Sequence, residues 1–242
     1  MFGDWIWLAE QEQENQRVLF WDGFMVEDLD APCDVWICAT DKYMLFINGV
    51  LQGMGPARST RQEGWIDRYE ITSQLRKGKN TIAVSVWNYG YSTYQSLYDH
   101  GKLIFDILQR GEVLVSSGES TWCMKDAGLI PGAPKRNVNL GPADYYDAQC
   151  EDGSWFLHPD KINGWQKAVV CKQVNKRLRE LPERKRTIEA KLPKRIVRIQ
   201  DVECDCQVFT VNLRHVLFAD RRDADETNLN AFLGCVLRSE RC

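Results

Sequence analysis

The sequence predicts an all-β fold: an antiparallel β-sandwich in residues 1–174, then a basic connector and the first strands of an incomplete second β domain. Three observations carry this reading. Short runs alternate apolar and polar residues with a period of two, the mark of strands that bury one face. At least seven such runs are separated by turn chemistry, too many and too short for a helical or α/β domain. All nine Trp and all eight Tyr fall before position 175, whereas residues 175–242 contain neither, so the chain has two compositional parts.

Taken in order, residues 17–24 and 34–39 read as the first strands, and residues 9–16 invite a short helix. Tyr43-Met44-Leu45-Phe46-Ile47 leads into Asn48-Gly49 and then Val50-Leu51. Asn-Gly takes the two positive-φ positions of a type I′ turn, which predicts a tight hairpin. Residues 65–71 form the next strand, and residues 71–75 are the second place that invites a short helix. In 81–87, Ile82, Val84 and Val86 share one face, as do Leu103, Phe105 and Ile107 further on. Residues 112–116 and 164–170 complete the set. The stretches 88–100 and 124–145 are longer than a hairpin needs, and loops of that length usually carry binding surfaces or interfaces.

Charge shifts at the same boundary as the aromatics. After position 174 there are 15 basic and 11 acidic residues, against 16 and 23 before it. Residues 175–194, with Pro182 and Pro193, read as an extended basic connector. Glu180, Glu183 and Glu189 interrupt the cations and no aromatics interleave for base stacking, which argues against a nucleic-acid patch. The net charge of −3, from 31 basic and 34 acidic residues, supplies no field for a phosphate backbone, so nucleic acid is not expected as a partner. No run approaches the roughly 20 apolar residues that span a bilayer, and the N-terminus has no basic region before its short apolar run. A cytoplasmic protein without membrane contact, or one whose signal has been removed, is expected. Nine cysteines, mostly in strand-like contexts such as Cys33, Cys38, Cys171 and Cys235, read as reduced core thiols rather than a disulfide framework.

Tyr43-Met44-Leu45-Phe46-Ile47-Asn48-Gly49 through Gly53-Met54-Gly55-Pro56-Ala57-Arg58-Ser59 resembles the N-terminal sandwich region of bacterial α-L-rhamnosidases. Trp65, Tyr69, Ile71-Thr72-Ser73-Gln74-Leu75, Gly78-Lys79-Asn80-Thr81-Ile82-Ala83-Val84 and Trp87-Asn88-Tyr89-Gly90 then follow in that family's order, and Tyr146-Asp147-Ala148 and Gly164-Trp165-Gln166-Lys167-Ala168-Val169 look like its closing elements. The resemblance covers residues 20–175. It implies a galactose-binding-like jelly roll that serves as an accessory domain, with a catalytic helical barrel, in the same or a neighbouring chain, as its partner. Residues 196–199, 208–213 and 231–237 look like opening strands of the next β domain. Nothing in the 242 residues resembles the barrel.

Function is therefore weighed without a reaction in this chain. Inverting glycoside hydrolysis needs two flanking carboxyls, and Asp99, Asp144 and Asp147 lie in loops of the sandwich, outside anything matching the family's catalytic region. No catalytic residue is assigned. A pyranose stacks its C–H face on indole or phenol and needs fixed polar partners at its rim. The loop 87–95 offers both through Trp87, Asn88, Tyr89, Tyr91, Tyr94 and Gln95, with Asp99 beyond it. Arg58, Arg61 and Trp65 could bracket a ligand as well, since guanidinium groups donate in a fork. Rhamnose-containing or other glycans are the candidate ligands. The competing reading is that these aromatics pack the end of the sandwich or dock another domain, and the arginines make ordinary surface salt bridges. No cofactor is required. Asp41 and Asn48 could contribute oxygens to a structural calcium ion, and Cys204-Asp205-Cys206 with His215 lacks the second spaced pair that zinc sites show.

Overall fold

The computed structural model describes residues 1–9, 12–94, 96–131, 133, 135, 139–147, 149–150, 153–172, 174, 176–181, 201–204, 207–210 and 238–239. The chain divides into two units: Met1–Asp126 with Pro131–Ala143 and Asp152–Ile188, and Ala127–Ile130 with Asp144–Glu151 and Glu189–Cys242.

The first unit carries β1 (Ile6–Trp7), β2 (Gln16–Val26), β3 (Cys33–Ala39), β4 (Lys42–Ile47), β5 (Val50–Gly55), β6 (Glu63–Glu70), β7 (Gly78–Asn88), β8 (Leu103–Gln109), β9 (Glu112–Ser116), β10 (Trp122–Lys125), β11 (Gln166–Lys167), β12 (Val169–Val170) and β13 (Arg177–Glu180). One sheet has the order β12-β1-β8-β3-β6-β13, with β9 added on β8, and the other β11-β10-β2-β7-β4-β5. The pairings are antiparallel except that of β13 with β6, which is parallel. No α-helix occurs among the described residues. The predicted β-sandwich is the fold observed.

Alternation builds the core. Val18, Phe20, Leu45, Ile47, Ile82, Val84 and Val86 point inward from one sheet, and Val35, Ile37, Leu103, Phe105 and Ile107 meet them from the other. The outer face of the six-stranded sheet is covered too. Leu19, Phe46 and Ala83 pack with Trp155, whose ring stands edge-on to Phe46 at 5.7 Å between centroids, and Trp21, Phe156 and Trp165 close over them. Burial on both faces explains why β2 reads as a continuous apolar run, Val18-Leu19-Phe20-Trp21, rather than a clean alternation.

The predicted hairpin is met, and beside it stands a polar bridge that the sequence did not announce. Asn48 (φ 48°) and Gly49 (φ 81°) both take positive φ, and Ile47 pairs directly with Val50 across the type I′ turn. Gly53 and Gly55 make room for a polar bridge between the sheets. A Cβ on Gly53 would overlap the Tyr69 ring and one on Gly55 would overlap Asp67, while the Tyr43 hydroxyl lies 2.6 Å from Asp67 Oδ2, to which it donates, and 2.9 Å from the Tyr69 hydroxyl.

The structure also departs from the expectations. No helix forms among the described residues of 9–16: residues 14–15 make a turn, Asn15 takes φ 55°, and Gln16 already opens β2. Residues 71–75 yield only a 3-10 turn, Thr72–Gln74. The single strand expected at 164–170 is split at buried Ala168 into β11 and β12, which join different sheets. β1, β10 and β13 were not anticipated, and β13 lies within the stretch read as a connector.

In the second unit, Leu129 and Tyr146 form an antiparallel bridge. β14 (Asp201–Cys204), β15 (Gln207–Thr210) and β16 (Arg238–Ser239) make a three-stranded antiparallel sheet in that order. The strands expected at 196–199 and 231–237, most of the connector, and Asp205, Cys206, His215 and Cys235 lie outside the described residues. No described helix is long and apolar enough to cross a membrane.

Candidate functional site

Strand β7 delivers the candidate loop to the end of the sandwich opposite the Asn48-Gly49 hairpin, because Trp87 pairs with Lys42 and Ile82 with Ile47. The first residues of the loop are engaged internally. The Trp87 indole N–H donates to Asn15 Oδ1 at 2.8 Å, the Arg17 guanidinium sits 4.8 Å from its ring centroid, and Tyr89 stands edge-on to it at 5.1 Å. Asn88 is fully buried and donates through Nδ2 to the Asp99 carbonyl at 3.2 Å. Tyr89 is buried as well, and its backbone N–H donates to Asp41 Oδ2 at 2.7 Å. Burial is the main cause that raises the Asp41 carboxyl above its usual range.

Further along, the rings become accessible. Tyr91 is half-buried, with Lys135 Nζ 3.7 Å from its ring centroid. Tyr94 is 64% exposed. Gln95 lies outside the described residues.

The end of the loop forms a built, charged cleft of about 400 Å³, lined by Arg61, Asp99, His100, Lys102, Lys172 and Lys176 among others. Asp99 pairs with Lys102 at 2.8 Å and with Lys176 at 3.5 Å, and the three side chains are only 14%, 9% and 5% exposed. Glu12 holds the rim: Oε2 lies 2.6 Å from His100 Nδ1 and Oε1 accepts the Gly101 N–H at 2.7 Å. Position 101 must be glycine here, since a Cβ would overlap the Trp7 ring beneath it. Arg61 donates through Nε to the Tyr98 carbonyl at 2.8 Å and lies 5.6 Å from that ring's centroid.

Of the residues the sequence singled out, the cleft brings together Arg61 and Asp99. Arg58 and Asp99, with Asp41, line a neighbouring cavity of about 10 Å³, the size of one water. Trp65 is tied to Arg58 through its indole N–H and the Arg58 carbonyl at 3.0 Å. Asp41 and Asn48 stand at opposite ends of β4, a separation of roughly 20 Å along an extended strand, and Asn48 Oδ1 already accepts the Thr81 N–H at 3.0 Å. Asp144 and Asp147 belong to the second unit. Sequence reasoning missed Lys102, Lys172 and Lys176. For Lys172 and Lys176 the sequence signal is a local excess of lysine, with Lys167, Lys172 and Lys176 within ten residues, and Lys102 stands apart from it.

The described cysteines, Cys33, Cys38, Cys123, Cys150 and Cys171, are free thiols. Burial pushes Cys33 up to about 11 and Cys38 up to about 12.

The two sheets define the class: a β-sandwich module with a charged cleft beside a strand-end loop. Among solved structures, the chain is similar to a partial region of glycoside hydrolase family 78 α-L-rhamnosidases. It is 29% identical to the family 78 rhamnosidase of Bacillus sp. GL1, with a TM-score of 0.71 over 74% of this chain and 20% of that one. The α-L-rhamnosidases of Dictyoglumus thermophilum (21% identity, TM-score 0.60, 74% of this chain and 22% of that) and Aspergillus terreus (20%, 0.59, 73% and 22%) share the fold. The chain thus spans about a fifth of the length of the enzymes it matches. No family model matches the chain, and no curated relative matches it.

Proposed function

We propose that the sandwich is a non-catalytic, galactose-binding-like accessory module of an α-L-rhamnosidase-like glycoside hydrolase, contacting carbohydrate and acting beside a helical-barrel catalytic domain of the same or a neighbouring chain. The observation that carries this is the likeness to part of the Bacillus rhamnosidase at 29% identity and a TM-score of 0.71. The end of the candidate loop supports it, because the cleft gathers fixed charged donors, two of which rest against the rings of Tyr98 and Trp5 outside its lining. Free thiols fit a reducing, cytoplasmic setting.

The test uses the purified 242-residue chain. It is expected to release no sugar from an aryl α-L-rhamnoside, and to show saturable tryptophan fluorescence changes with rhamnosides or another member of a glycan panel. Turnover that is lost on substituting an acidic residue would overturn the non-catalytic assignment. A second reading, a purely structural docking module, is favoured by the internal engagement of Trp87, Asn88 and Tyr89 together with the exposure of Tyr94 and Leu97. Silence across the whole glycan panel, with binding to a rhamnosidase barrel, would establish that reading instead.

A further inference from the structure

We propose that the cleft beside Asp99 takes an anionic sugar, specifically the carboxylate of a uronic acid residue. This rests on the carbohydrate reading above and names the ligand class of the same site.

The inference starts from charge. Four cationic side chains, Arg61, Lys102, Lys172 and Lys176, line the cleft against one carboxylate, Asp99. Lys102 and Lys176 both turn to that carboxylate and are both largely withdrawn from water, and on the inner side the buried Asp41, whose carboxyl burial raises, also faces Lys176. Glu12 is the next carboxylate, and its two oxygens are taken by His100 Nδ1 and the Gly101 N–H. Lys172 is exposed and has no ion-pair partner among the described residues. Arg61 is exposed and spends Nε on the Tyr98 carbonyl, while its two terminal nitrogens, the end-on fork that suits a carboxylate, have no protein partner among the described residues. The chain as a whole is acidic, with net charge −3, so this field is local to the cleft.

The volume of the cleft and the carbohydrate reading above together make that anion a sugar acid. About 400 Å³ lies within the range of roughly 300–1,000 Å³ typical of small-ligand sites. The Tyr98 ring lies 5.6 Å from the Arg61 guanidinium carbon and the Trp5 ring 6.0 Å from Lys102 Nζ, so two of the four cations are backed by aromatic rings. A free phosphate would draw on converging backbone amides, and the Gly101 N–H is already committed to Glu12.

The experiment is calorimetric titration of the full chain with the methyl glycosides of D-glucuronic and D-galacturonic acid, the matching neutral glucoside and galactoside, a methyl α-L-rhamnoside, and inorganic phosphate. At least one uronide is expected to bind at least about tenfold more tightly than its neutral counterpart, and to weaken as NaCl rises from about 20 to about 200 mM. Lys172→Glu, at an exposed position, is expected to lower uronide affinity about fivefold or more while Lys172→Arg retains it, and Arg61→Ala to act like Lys172→Glu, with thermal unfolding confirming that each variant folds. Equal binding of uronide and neutral sugar, or uronide binding indifferent to Lys172→Glu and Arg61→Ala, overturns the proposal. So does phosphate that displaces uronide at equal affinity, which makes the cleft a general anion site. Rhamnoside binding untouched by Lys172→Glu, with no uronide binding, sinks this inference and leaves the module reading standing. Uronide binding without rhamnoside binding supports this inference and is consistent with the carbohydrate reading.

Discussion

Strand β7 carries a fully buried asparagine at each end, Asn80 and Asn88, and the two are treated differently. At the hairpin end every polar atom of Asn80 is used. Its Oδ1 accepts from the Arg76 N–H at 2.9 Å and Asn48 Nδ2 at 2.8 Å, and its Nδ2 donates to the carbonyls of Arg76 and Gly78 at 2.7 and 2.9 Å. At the other end Asn88 makes one side-chain bond, to the Asp99 carbonyl, and its Oδ1 has no partner among the described residues. Gln16, paired with Asn88 across β2 and β7, likewise presents a buried side-chain oxygen without a partner among the described residues. An orphaned buried acceptor costs stability. The sandwich is thus closed as pure structure at one end, while the end that borders the charged cleft keeps polar atoms that folding does not use. Sites that serve ligands are commonly maintained at such a cost.

The contrast can be broken most directly at Asn80. Asn80→Ala removes four hydrogen bonds from a buried site and strands the Arg76 N–H and one of the two Asn48 Nδ2 hydrogens, the other staying on the Gln74 carbonyl, so urea denaturation should show a loss of about 3 kcal/mol. Asn88→Ala should cost about 1 kcal/mol, since only one long bond is lost and an unpartnered oxygen disappears with it. Equal losses for the two variants would erase the distinction between the ends. The smallest effect is a pH dependence. Burial raises the Asp41 carboxyl, so the folded state holds a proton that the unfolded state releases first. That contribution is complete below the ordinary carboxylate range and is lost as pH rises through the raised folded value. Asp41→Asn should therefore show a shallower fall of the urea midpoint from pH about 4 to about 7 than the unaltered chain. Asp22, raised by burial in the same direction, leaves a residual slope in both.

Much of the fold was legible because β2 to β9 carry their own signals: alternation in β7 and β8, and the Asn48-Gly49 turn between β4 and β5. β1 and β12 are two residues each and exist through their partners, Ile6 with Val170 and Trp7 with Val169, which no local pattern announces. In β10 only Cys123 is buried, too little for a visible period. The site was legible in part. Asn88 continues the inward register of Ile82, Val84 and Val86, so the strand pattern itself places it inside rather than in an open loop. Arg61 and Asp99 could be named as polar partners from the sequence. Lys172 and Lys176 stand more than seventy residues from Asp99, and only the return of the chain through β12 and β13 makes them one cleft.

That return has a practical consequence for anyone who cuts the gene. β13 covers the outer margin of β6 in parallel register, Arg177 to Glu63 through Glu180 to Ile66, with the Arg177 N–H on the Gln62 carbonyl at 2.7 Å and the Leu181 N–H on the Ile66 carbonyl at 3.0 Å. A fragment stopped at residue 174, the boundary drawn from Trp and Tyr, would strip that cover and leave β6 as a bare template for other copies. It would also delete Lys176 and with it half of the clasp on Asp99. A fragment carried through Leu181 keeps both, so the sandwich ends for the cloning bench with its own last strand and not with its last tryptophan.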